Sequence, residues 1–103
     1  MASGRLGAAD LSATTNTTVY TVPSAKTAAL SISVCNRNST SVTVRLALSA
    51  TGTPGASEWI EYDTALPALG VLERTGIVLD IGKLVVAYAS AANVSVVAYG
   101  VEE

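Results

Sequence analysis

The chain has 103 residues, half of them apolar and only 14% charged, with seventeen Ala and thirteen Val. That length supports one hydrophobic core and not two, and the composition is too apolar for disorder. Six basic residues against eight acidic ones cannot assemble a patch that neutralises several phosphates, so no nucleic-acid partner is expected.

Residues 1–16 are rich in Gly, Ala, Ser and Thr and hold no sustained period, which predicts an extended N-terminal arm ordered by a partner. The arm lacks the apolar run of a signal peptide, and no stretch of 18 apolar residues follows it, so no membrane partner is expected. From Thr17 the pattern turns to period 2. TTVYTV reads as a short strand that Pro23 ends, because proline has no N–H to donate. In residues 27–36, Leu30, Ile32 and Val34 alternate with Ser31, Ser33 and Cys35, the pattern of a half-buried strand. Residues 41–49 repeat it, with Val42, Val44, Leu46 and Leu48 inward and Thr43, Arg45 and Ala47 outward. The polar NRNST between the two predicts a hairpin.

A Gly/Pro/Thr loop, ATGTPGAS, then leads into a strand over 58–63, and LPALG separates it from a strand over 71–79. After the turn DIG, strands over 83–89 and 94–101 form a last predicted hairpin around SAAN. About seven strands with regular turn signals predict an all-β domain over residues 17–103, an antiparallel β-sandwich or jelly roll. The small residues Ser31, Ser33, Ala87, Ala89 and Ser95 are expected to face outward on a flat, weakly polar surface.

The chain has no His and a single Cys, which excludes a Ser-His-Asp triad, a His-based zinc site and a thiolate metal cage. Its eight Gly form no phosphate-binding fingerprint. The reading is therefore not an enzyme, with no cofactor and no metal. Cys35 has no His or clustered cation to activate it and is expected to act as a small buried hydrophobe.

The stretch EWIEYDTALPALGVLER, residues 58–74, holds five of the fourteen charged side chains and the only Trp. Glu61 and Asp63 are two apart on the strand expected here and should share a face with Trp59. A carboxylate pair beside an aromatic ring suits a sugar site, and Glu58, Glu61 and Asp63 could offer oxygens to calcium. General acid catalysis, however, needs one carboxyl desolvated while the other stays ionised, and no dense acidic loop is present. The stretch is therefore read as the polar rim of a contact surface whose candidate residues are Trp59, Glu61, Tyr62, Asp63, Glu73 and Arg74. Glu73 and Arg74 would pair across adjacent strands with the acidic residues. Trp59 and Tyr62 should fall on opposite faces, one ring in the core and the other anchoring a contact.

Three segments, TTVYTVPSAKTAALSISVCNRNS, IEYDTALPALGVLERTGIVL and SAANVSVVAYGVEE, resemble a group of short tailed-phage virion proteins from marine and freshwater phages. The likeness spans residues 17–103. It implies a structural component of the virion, assembled in the host cytoplasm, all-β, present in many copies and without catalytic residues. The expectation is a capsid decoration, or cement, protein that binds the major capsid protein and self-associates, with a trimer as one arrangement. The alternatives are a tail, baseplate or neck component, and a carbohydrate- or calcium-binding adhesion module on the virion surface.

Overall fold

The computed structural model of the chain describes residues 3–103. Eight strands follow one another: β1 (Ser3–Leu11), β2 (Thr17–Thr21), β3 (Ala28–Asn36), β4 (Val42–Ser49), β5 (Trp59–Leu66), β6 (Val71–Leu79), β7 (Leu84–Ala89) and β8 (Val94–Glu102). No helix occurs among the described residues. The strands form a front sheet in the order β1-β8-β3-β6 and a back sheet in the order β2-β7-β4-β5.

β1 pairs with β8, β2 with β7, β3 with β6 and β4 with β5, all antiparallel. The chain is thus one long double-stranded ribbon turning at the β4–β5 loop. It is rolled so that β3 also meets β8 and β4 also meets β7. That winding is a jelly roll. Period-2 alternation drives the closure: Leu30, Ile32, Val34, Val94, Val96 and Ala98 face inward from the front sheet, and Val42, Val44, Leu46, Val85, Ala87 and Ala89 from the back. At about 25 cal/mol per Å² of apolar area removed from water, such side chains stabilise the fold by roughly 1.5–3 kcal/mol each for the larger ones.

Three expectations are corrected by this winding. Residues 27–36 and 41–49 do not form a hairpin, nor do 83–89 and 94–101, because β3 and β8 lie in the front sheet and β4 and β7 in the back. Every connection except β4–β5 crosses between sheets. Stacked sheets are only about 10 Å apart, a gap that three or four extended residues span, so a short polar loop serves a crossing as well as a hairpin. Ala87 and Ala89, expected outside, lie in the core. Ser31, Ser33 and Ser95 do face outward, each half-buried.

The third correction concerns the expected arm. Residues 3–11 are extended, but they form the edge strand β1, paired with β8 from Ser3 to Leu11. Leu11 is fully buried, and Leu6 and Ala9 pack against the core. The strand escapes a period-2 reading because its inward positions include Gly7 and Ala9, and because a bulge between Arg5 and Gly7 breaks the alternation. Gly7 is required there: a Cβ would overlap the carbonyl oxygen of Val19, where β1 closes onto β2.

Polar bonds tie the two sheets together on both sides of the sandwich. On one side, the Tyr20 hydroxyl on the edge strand β2 donates to Glu102 Oε2 on β8, next to the edge, at 2.5 Å. Burial, reinforced by the Glu102 carboxylate, pushes the Tyr20 phenol well above the ordinary tyrosine range. On the other, Arg74 on β6 donates to Glu61 on β5 at 2.6 Å.

Candidate binding surfaces

The six contact residues expected from the sequence divide among three places. Two bulges on β5 cause the division. Ala47 pairs with Trp59, Leu46 with Glu61 and Val44 with Thr64, so β5 has one residue more than its partner between 59 and 61 and one more between 61 and 64. Asp63 takes up the second with a left-handed backbone, φ 50°, a conformation Asp tolerates better than most residues. Trp59, Tyr62 and Asp63 therefore emerge together on the outer face of the back sheet. Glu61 turns the other way, toward the inter-sheet edge.

Glu61 is an inter-sheet clamp. It accepts from Arg74 Nη1 and from Thr64 Oγ1, at 2.6 and 2.7 Å. The pairing of Arg74 with the acidic strand is as expected, but it runs between two sheet edges and not across neighbouring strands of one sheet. Glu73 points to the outer face of the front sheet, with its Oε2 3.4 Å from the Tyr99 hydroxyl.

On the back face a residue the sequence did not single out organises the site. Arg45, on β4, donates to both carboxylate oxygens of Asp63, at 2.6 and 3.2 Å. Its guanidinium lies 4.2 Å from the Tyr62 ring centroid, 4.4 Å from Tyr88 and 6.0 Å from Trp59. The Trp59 and Tyr62 rings meet edge to face, 5.4 Å apart at 73°. The bond from Arg45 holds the Asp63 carboxyl below its ordinary range, so the pair stays charged and mutually neutralised. Tyr88 is the direct cross-strand partner of Arg45, a relation invisible until the strand pairing is known.

The β4–β5 loop, residues 50–58, walls this face. The Glu58 carboxylate accepts from the backbone N–H of Ala50 and Gly55 and from the Ser49 hydroxyl, at 3.0, 2.7 and 3.0 Å. Those donors, the Gly55 amide foremost, lower the Glu58 pKa from the ordinary carboxylate value. A group whose folded pKa is depressed stabilises the fold above its unfolded pKa and loses that contribution as pH falls through the folded value. The loop should therefore loosen only in acid, below the ordinary glutamate range. Fluorescence of the adjacent Trp59 should report a transition there, and Glu58→Gln should abolish it.

The front face has a different character. Its outward rows, read across β1, β8, β3 and β6, are Asp10-Ser95-Cys35-Val71, Ala8-Val97-Ser33-Glu73, Arg5-Tyr99-Ser31 and Ser3-Val101-Ala29-Val78. Val71, Val78 and Tyr99 are exposed at 56%, 67% and 37%. Small residues keep the sheet flat between them. A shallow groove runs along Ala29, Ser31, Val78 and Tyr99, opened by Gly76 and Gly100. Cys35, expected to be buried, is half-buried and free on this face.

Glu58, Glu61 and Asp63 are each engaged by different partners and point to three different places, so they do not converge as oxygen ligands. Among the described residues no group of three or more His, Cys, Asp or Glu is placed to hold a metal. The fold and its two outer faces define an antiparallel jelly-roll sandwich. Comparison with protein-family models, with curated proteins and with solved structures finds no match to the chain.

Proposed function

We propose that the chain is a structural protein of a tailed-phage virion, a capsid decoration protein that lays the outer face of its front sheet against the major capsid protein. The observation that carries this reading is that face: four rows of mostly small or apolar side chains, with Arg5, Asp10 and Glu73 as the charged residues among them. An exposed surface of valine, alanine and serine that leaves Val71 and Val78 open to solvent marks a contact site. Its flatness suits close apposition to another protein, and its near-neutrality suits burial without stranded charge.

The phage assignment rests on the sequence resemblance; a jelly roll serves many functions and does not choose among them. Self-association, with a trimer as one arrangement, would multiply modest contacts into avidity on a repetitive shell. A tail, baseplate or neck position is the second reading, and it would use the same face.

The test is co-sedimentation of the purified chain with empty shells of the major capsid protein and with isolated tails. Binding to shells is the expected result. Binding to tails alone would select the second reading, and binding to neither would overturn both. The double variant Ser33→Glu, Val78→Asp places one charge at the centre of the face and one on its β6 edge, where each would meet the partner unpaired. It should weaken binding by about 10- to 100-fold while lowering the unfolding midpoint only slightly, through the like charge that Ser33→Glu sets opposite Glu73.

A further inference from the structure

We propose that the outer face of the back sheet carries a site for a neutral saccharide, seated in the recess between Ala56, Trp59 and Tyr62. This inference does not rest on the phage reading, since it concerns a face that points away from the proposed docking surface.

The recess is walled by Ala56 of the β4–β5 loop and by the two rings of β5. Its volume of about 320 Å³ is at the small end of the range for ligand sites, roughly 300–1,000 Å³, which suits one or two sugar rings. Two rings at 73° form a corner. A pyranose presents an apolar C–H face that stacks on one wall and a rim of hydroxyls that reaches the other. Aromatic side chains with one apolar body and one polar tip serve that chemistry.

Three further observations narrow the ligand. First, the platform is built without it: Arg45 lies against Tyr62 and Tyr88 and is tied at two points to Asp63, so little ring motion is lost on binding. Second, the charges cancel. With Arg45 neutralised by Asp63 and no other cation in the cluster, neither a phosphate nor a carboxylate finds a partner, and stacked nucleotides are excluded with them. Third, of the groups lining the recess, the Tyr62 hydroxyl and the Trp59 indole N–H make no hydrogen bond within the described residues. They remain free to meet hydroxyls, which donate and accept at once. The two bulges on β5 supply the placement, a device that re-aims side chains at functional sites.

Trp59 is the only tryptophan, so its fluorescence reports the recess directly. The intact chain would be titrated with glucose, galactose, mannose and N-acetylglucosamine and with a trisaccharide of each. A saturable change with at least one of them, half-complete between about 0.1 and 10 mM, is expected for so small a contact. Amide shifts in the nitrogen–proton spectrum should then concentrate at Ala56, Trp59 and Tyr62. Tyr62→Ala should weaken the response at least tenfold; Tyr62 is 57% exposed, so the fold should survive the change and Trp59 still reports.

No saturable response to any of these sugars would overturn the proposal, as would shifts that map to another face. Loss of shell or tail binding in Tyr62→Ala, without a sugar response in the parent chain, would also overturn it, because the cluster would then be a protein contact.

Discussion

Replacing Asn36 with Ala is expected to lower stability by about 3 kcal/mol, since several buried polar groups lose their partner at once. Asn36 is fully buried at the end of β3. Its Nδ2 donates to the carbonyl oxygens of Thr40, Leu66 and Pro67 at 3.0, 3.2 and 2.9 Å. Its Oδ1 accepts from the backbone and side-chain nitrogens of Asn38 at 2.9 and 3.1 Å. Asn38 in turn donates to Ala92 O at 2.8 Å, and Arg37 N to Asn93 O at 2.9 Å. Three sheet-crossing connections, 37–41, 67–70 and 90–93, thus meet around one amide. Thermal unfolding followed by circular dichroism should show a midpoint lower by roughly 15 °C, given 4–8 °C per kcal/mol for a domain near this size. Asn36→Asp should be worse, although it is nearly isosteric, because an ionised carboxylate can only accept and would face three carbonyl oxygens. Its proton is favoured in the folded state, so its deficit relative to the parent chain should shrink as pH falls through the carboxylate range. The alanine deficit should not. Equal deficits for Asp and Ala at every pH would mean that the amide's donors carry no weight.

The Asn36 network also explains why strand positions were legible in the sequence while strand partners were not. Leu30, Ile32 and Val34 alternate with Ser31, Ser33 and Cys35, and the structure places the first three in the core. The strand expected over 71–79 has those bounds. Alternation is local, a property of one strand and one buried face. Pairing depends on where a loop leads, and the NRNST loop is steered across the gap by bonds from Asn36 and Asn38 to residues 30 to 54 positions distant. The faces of Trp59 and Tyr62 differ from the alternation for a related reason. A period-2 reading assumes no bulge, and β5 carries two in eight residues. Alternation alone marks Arg45 only as outward. Its role follows from Tyr88 lying opposite it and from Tyr62 being turned toward it, neither of which adjacent sequence encodes. A cation in the middle of a strand otherwise built of small and apolar residues was the one available signal.

A chain starting at Thr17 is expected to lose about 3 kcal/mol or more and to aggregate, whereas loss of a free arm would leave folding intact. The deletion removes fully buried Leu11 and half-buried Leu6 and Ala9, and it uncovers the inward valines of β8, Val94 and Val96, which are wholly shielded in the intact chain. One buried leucine contributes roughly 1.5–3 kcal/mol, and partial exposure of the two valines adds to it. β8 would become the edge of the front sheet and present unpaired N–H and C=O groups flanked by β-branched residues, a template for pairing with another chain. Denaturant unfolding should show a lower midpoint, and light scattering should rise with protein concentration. An unchanged midpoint and full solubility would mean that β1 is a detachable arm after all. Because the deletion perturbs the fold, it cannot by itself assign β1 a part in docking. Arg5→Glu can: Arg5 lies on the outer face of the front sheet opposite Tyr99, and changing it leaves the interior untouched. Weaker binding to shells with an unaltered unfolding midpoint would then locate β1 within the contact. Weaker binding in the truncated chain alone would trace to lost structure.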